Sequence, residues 1–230
     1  QLFPGLNYEI VDSREKNLQK AAYWYMQAAK QGNKNAQYYI GYAYLKGSGV
    51  EKSLKQAHTW LQSAADQNHV KASYQLARLY DKGNGVKKNY RTAFKYYEKA
   101  AKQNHKEAQF QLGALYINGQ GVKKDAKMAT YWLKKGCNNS HASSCGFLAM
   151  LYDDGREIPK STKNSFFWYK TGADKTSNSK LQFEVGRRYW LGIGVQKSDQ
   201  NATKFFKLSA DQGNQEAKKA LKEICKFVRC

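Results

Sequence analysis

ASYQLARLYDKGNGVKKNYRTAFKYYEKAA, residues 72–101, matches the chain again when shifted by thirty-six positions in either direction. Its connector, Gly83-Asn-Gly85-Val86, is preceded by Gly47-Ser-Gly49-Val50 and followed by Gly119-Gln-Gly121-Val122. It returns degraded as Gly155-Arg-Glu157-Ile158 and restored as Gly192-Ile-Gly194-Val195. A period of this length marks a stacked repeat architecture, in which each unit packs only on its neighbours. The connector glycines supply positive φ, which residues with side chains resist. Glu157 and Pro159 break the pattern, so the fourth connector is expected to differ from the others.

Two amphipathic helices flank each connector. One carries Ala57, Trp60, Leu61, Ala64 and Ala65, spaced as one face of a helix. Its slots return as Ala21, Trp24, Tyr25, Ala28, Ala29 and as Ala93, Tyr96, Tyr97, Ala100, Ala101. Trp24, Trp60, Trp132 and Trp168 share one slot and are assigned to the core rather than to a stacking platform. The other helix carries Ala72, Leu76, Ala77, Leu79 and Tyr80, and its small residue (Gly41, Ala77, Gly113) lets a neighbouring helix approach. The expected organisation is an irregular lead-in over 1–16, then a repeat body over 17–230. Residues 215–230 form a lysine-rich capping helix.

The chain of 230 residues has a net charge of +21, from 39 basic and 18 acidic residues. Such an excess favours an acidic partner, whether protein, membrane surface or nucleic acid. The bases are spread along the chain, which argues against a polybasic arm. No apolar run is long enough to span a bilayer. No signal peptide is visible, and the opening Gln1-Leu2-Phe3-Pro4-Gly5 fits a mature end or a trimmed one.

The pattern A-x-x-x-L-G-x-x-Y…G-x-G-V-x-K-x…A-x-x-W-Y-x-x-A-A resembles the Sel1-like repeat family, relatives of the tetratricopeptide repeat, over roughly residues 17–230. The resemblance implies an all-α fold: a right-handed α/α solenoid of about six helix pairs with a concave inner face. It also implies a binding role rather than chemistry, with no cofactor.

Four cysteines are present. Cys137 stands where Ala29, Ala65, Ala101, Ala173 and Ala210 stand elsewhere; Cys145 takes the slot of Gln37, Ser73 and Gln109. One ends a helix and the other begins the next, within a bridging reach of roughly 5–6 Å. Two off-pattern residues at facing positions suggest a disulfide. The C-x7-C spacing is similar to that of cysteine-rich secreted bacterial Sel1-like proteins, in which this pair bridges the two helices of a repeat. Cys225 and Cys230, five apart, would need a frayed helix end to bond. A bridge would place the chain in an oxidising compartment, periplasmic or extracellular.

Chemistry-bearing motifs are poor. His69, His105 and His141 recur in a slot that also accepts Asn33, Asn178 and Asn214, which marks a capping or turn position. No metal site is expected, since no C-x-x-C or H-x-x-x-H spacing occurs. S-x-x-K at Ser13–Lys16 and Ser177–Lys180, with Lys170-Thr171-Gly172, echoes penicillin-recognising enzymes, but no S-D-N accompanies them.

Two surfaces remain. Lys52, Lys88, Lys124, Lys160 and Lys197 share a connector slot and form a basic ridge, or simply the lysine that the repeat carries there. The second is the inner face of the second helices. Its first slot (Tyr38, Tyr74, Phe110, Gly146, Phe183) is regular enough to imply contact between repeats. Two others vary freely: Tyr42, Arg78, Ala114, Met150, Arg187, and Leu45, Asp81, Ile117, Asp153, Trp190. Slots free of packing constraint can serve recognition, and Tyr, Arg and Trp are favoured interface anchors. The candidate partner-binding residues are therefore Tyr38, Tyr42, Tyr74, Arg78, Met150, Phe183, Arg187 and Trp190. The expectation is a non-enzymatic scaffold, monomeric when unbound, that captures an acidic protein. A bacterial immunity or adaptor protein facing a toxin or effector is its concrete form. The rival is a binder of cell-wall or membrane polyanions through the ridge. An enzyme acting on peptidoglycan-related substrates ranks last, and nucleic acid is not favoured as a partner.

Overall fold

The computed structural model describes residues 15–226, the side chains of 15 and 16 excepted. The described residues form twelve helices and no strand: α1 (Glu15–Lys30), α2 (Lys34–Lys46), α3 (Leu54–Asp66), α4 (Val70–Lys82), α5 (Tyr90–Ala101), α6 (Lys106–Asn118), α7 (Ala126–Asn138), α8 (Ala142–Asp154), α9 (Thr162–Thr176), α10 (Ser179–Leu191), α11 (Asp199–Asp211) and α12 (Gln215–Ile224). The fold is an all-α repeat of the solenoid class. Two compact units divide it. The first ends at Ala108 and takes in Gly119–Lys123; the second comprises Gln109–Asn118 and resumes at Lys124. The expected lead-in falls mostly outside the described residues.

Each boundary has a local cause. From α3 on, the odd-numbered helices start on a side-chain cap at one recurring position: Ser53, Asn89, Asp125, Ser161 and Ser198 each accept an amide of the first turn. Even-numbered helices start at the histidine/asparagine slot. Asn33 accepts from Ala36 N at 3.0 Å, His69 Nδ1 from Ala72 N at 3.1 Å and His105 Nδ1 from Ala108 N at 3.4 Å. The capping role read from the sequence holds. His141 differs, its Nδ1 lying 2.9 Å from Ser144 Oγ.

The connector glycines do two jobs. The first, as at Gly83 (φ 73°), ends an even helix in the left-handed region. The second, as at Gly121 (φ 73°), lies so close to α5 that a Cβ would sit 2.2 Å from Tyr90 O. The fourth connector keeps the first glycine, Gly155, at φ 75°. In place of the second it carries Glu157, which reaches Lys124 at 2.7 Å.

The core is built from recurring slots. Leu61, Leu133 and Phe206 are fully buried on the odd helices; Ile40, Leu76, Leu112 and Leu148 are fully buried on the even ones. The tryptophan slot is corrected. Only Trp132 is buried; Trp60 and Trp168 are half-buried and Trp24 is 44% exposed. Trp60 packs on the cluster formed by α1 and α2, the repeat before its own.

Buried glutamines, each bonded to an exposed amide, stitch one repeat to the next. In the first unit Gln67 Nε2 donates to Gln37 Oε1 at 2.8 Å and to Gly32 O at 2.9 Å. In the second, Asn139 donates to Gln109 at 2.9 Å and Gln212 to Gln182 at 2.7 Å. Cys145 occupies this glutamine slot and is bonded instead to Cys137, with Cα atoms 4.7 Å apart. Both sulfurs are in the core, and Gly172 packs where a Cβ would meet Cys145 Cβ at 2.6 Å. The Cys137–Cys145 pairing is as expected; the Cys225–Cys230 pairing lies outside the described residues because of Cys230. In α12, Ala217 and Ile224 face inward and Lys218, Lys219 and Lys222 face water.

Candidate functional site

The eight inner-face residues divide between the two units. Tyr38, Tyr42, Tyr74 and Arg78 belong to the first unit; Met150, Phe183, Arg187 and Trp190 belong to the second.

In the first unit, Tyr38 stacks on His69 at 4.6 Å between centroids, and Tyr74 on His105 at 4.4 Å. Each histidine caps the even helix one repeat later, so this slot joins repeats as its regularity implied. Burial holds the His69 pKa below the usual value, helped by Lys34 and Lys71. Burial lowers His105 too, with Lys71 and Lys106 adding to it and Glu107 opposing. Stacking leaves these tyrosines half-buried, while Arg78 is exposed. Its guanidinium lies 5.9 Å from the Tyr74 ring and reaches Gln75 Oε1 at 3.4 Å. Lys46 lies 5.7 Å over the Tyr42 ring.

Beside Arg78 opens a cavity of about 280 Å³ between α2, the first connector and α4. Lys46, Lys52, Arg78 and Lys82 converge on it, with Gln75 and Asn84 beside them, and no carboxylate lines it. Outside the lining, the mostly buried Asp81 lies 3.7 Å from Lys82.

The second unit has a different character. Arg187 is held by Glu184 through two bonds of 2.9 and 3.1 Å. Phe183 and Trp190 pack on Phe206 at 5.7 and 5.9 Å. The slot of Trp190 is therefore not free of packing: Leu45 joins a core cluster and Ile117 is itself buried. Met150 is 57% exposed and stands clear of the core. Sequence reasoning passed over Arg188. It is 2% exposed, bonds Asp153 through Nη2, and lies 4.6 Å from the Tyr169 ring. Its Nε and Nη1 are buried without a hydrogen-bond partner. The signal was in the sequence, since the same slot elsewhere holds Ala43, Leu79, Leu115 and Leu151.

The ridge lysines are largely explained by packing. The Cβ atoms of Lys52, Lys88 and Lys160 lie against the space above the connector glycines Gly47, Gly83 and Gly155. Their charges differ in fate: Lys124 is paired with Glu157, Lys88 sits 4.5 Å over Tyr90, and Lys197 is 4.0 Å from Asp199. The residues of the penicillin-enzyme echo are structural: Lys170–Gly172 lie inside α9, Lys170 pairs with Asp174, and Ser177 ends that helix. Ser13 lies outside the described residues. Among the described residues no cluster of His, Cys, Asp or Glu could hold a metal ion.

The family model described as Sel1 repeat matches residues 11–33, 34–69, 70–105, 106–141, 142–177 and 179–214. Among solved structures, c5321, a protective antigen of uropathogenic Escherichia coli with an SLR fold, is 31% identical with a TM-score of 0.88. The match covers 96% of this chain and 47% of the antigen, so the chain spans about half the antigen's length. A Sel1 repeat protein from Oxalobacter formigenes is 32% identical over 97% of this chain and 88% of its own, with a TM-score of 0.77. The immunity protein Pa5087 from Pseudomonas aeruginosa matches 98% of this chain and 86% of its own at 16% identity and a TM-score of 0.54, a likeness of fold alone. No curated protein sequence matches significantly.

Proposed function

The chain belongs to the Sel1 repeat family, and from that premise we propose that it captures an acidic partner protein on the inner face of its even-numbered helices. A Sel1-repeat scaffold is a protein-interaction module. The observation that carries the acidic specificity is the surface around Tyr42 and Arg78, where four cations gather beside aromatic rings and only Lys82 among them has a carboxylate partner among the described residues, Asp81. Such a surface draws a negative partner in and fixes its register, while the rings supply contact area. The concrete form is an immunity or adaptor protein that holds a toxin or effector, working as a monomer until it does so. The buried Cys137–Cys145 bond supports a periplasmic or extracellular setting, since such bonds persist under oxidising conditions.

The rival polyanion reading has less support, because three of the five ridge lysines are engaged by Glu157, Tyr90 or Asp199. Site-specific photocross-linking in the native cell tests the proposal. A benzophenone at Tyr42 or Met150 should trap one protein species of low isoelectric point; a benzophenone at the outward-facing Lys127 should trap none. Equal trapping at all three positions would remove the inner face from consideration. Binding that collapses steeply with salt, without a protein adduct, would favour a polyanion.

A further inference from the structure

We propose that the cavity bounded by Lys46, Lys52, Arg78 and Lys82 is a carboxylate-recognition pocket that receives a short run of acidic side chains from the partner. The proposal deepens the protein-capture reading and rests on it for the identity of the occupant.

Three observations carry it. The first is convergence: four cations from two helices and a connector line one cavity, and its lining holds no acid. Like charges brought together repel, and an anion seated among them relieves that repulsion.

The second is that this quartet is not the repeat motif. One period on, the same positions hold Lys82, Lys88, Ala114 and Asn118. Two periods on they hold Asn118, Lys124, Met150 and Asp154, and three periods on Asp154, Lys160, Arg187 and Leu191. Only the connector lysine recurs throughout. Packing against the glycine accounts for Lys52; of the other three, Lys82 pairs with Asp81 at 3.7 Å, while Lys46 and Arg78 lie near the Tyr42 and Tyr74 rings with no carboxylate partner among the described residues.

The third is the chemistry of the wall. Gln75 and Asn84 offer amide donors beside the cations, and Leu45, Leu54 and Leu79 give an apolar base. The guanidinium of Arg78 has a fork that matches a carboxylate in two-point contact, and its hydrogen bond to Gln75 is long at 3.4 Å. Apolar base, amides and a fork together suit an acidic peptide better than a bare inorganic anion.

The test uses the full chain and fluorescein-labelled hexaglutamate, read by anisotropy at about 50 mM salt, where surface charges are only partly screened. Saturable binding is expected. The double variant Lys46→Glu with Arg78→Glu should weaken it by about tenfold or more, since two close charge contacts become repulsive. A matched double variant on α12, Lys218→Glu with Lys219→Glu, removes the same charge elsewhere and should change affinity less than about twofold. The milder pair Lys46→Gln with Arg78→Gln, checked for an unchanged thermal melt, guards against misfolding and should also lose binding. Equal losses in the pocket and α12 variants would overturn the pocket, as would a lack of saturable binding. Tighter binding of tripolyphosphate than of hexaglutamate would overturn the acidic-peptide assignment in favour of a phosphate ligand. Peptide binding that depends on Arg78, with no adduct from Tyr42, would leave the pocket standing while the protein-capture reading falls.

Discussion

Gly121 and Gly32 both adopt positive φ, at 73° and 86°, yet their surroundings differ. An added Cβ at Gly32 meets nothing within 4 Å, whereas at Gly121 it meets Tyr90 backbone. Gly32→Ala should therefore cost only the left-handed strain, about 1–2 kcal/mol. Gly121→Ala should cost clearly more, because helix α5 must also move. Denaturant midpoints of the two variants, side by side, check the ordering. Arg188 offers a second residue-scale test. Removing its partner by Asp153→Ala leaves a buried cation and should destabilise by about 3 kcal/mol, the low end for a buried pair given that Asp153 is partly exposed. Arg188→Leu, which restores the residue of Leu79, Leu115 and Leu151, should be close to neutral by thermal melt. Periodicity announces Arg188 as the exception in its slot. Its partner was not legible, because Asp153 lies thirty-five positions away and only the stacking of repeats brings the two together.

Among the elements, the histidine caps tie helix starts to acidity. His69 and His105 accept an amide through an unprotonated Nδ1, and both pKa values are held below the usual one, first by burial. The sign follows directly. A depressed value means stability that is whole above about pH 6.5 and is lost as pH falls through the folded-state value. The melting temperature of the natural chain should drop between neutral pH and about pH 5. Exchanging both caps for the Asn used at positions 33, 178 and 214 should flatten that drop while keeping the caps. The elements themselves were legible, since connectors, caps and core slots all repeat with one period. The tryptophan slot was not, because one residue type at one repeat position is buried at Trp132, half-buried at Trp60 and Trp168 and exposed at Trp24, as its neighbours across the repeats dictate. The inner face was half legible. Sequence named Tyr42 and Arg78, but Lys46 and Lys82 went unnoticed because they sit in slots with no aromatic or arginine to draw the eye.

For the molecule as a whole, stability should be local. Reducing the Cys137–Cys145 bond, which closes a short loop, should cost about 2–3 kcal/mol. In a repeat chain that loss stays near its source. Hydrogen exchange after reduction should therefore rise in α7–α9 and hold steady in α1–α4; a uniform rise would show global cooperativity instead. The amide stitch between Gln37 and Gln67 has one more consequence. Both partners sit at positions that a copied period would carry with it, so a second helping of residues 34–69, spliced in after His69, brings its own fastening. Lineages of such chains can lengthen by tandem duplication without inventing a new joint, and a designer can do the same to place the anion pocket further from an end.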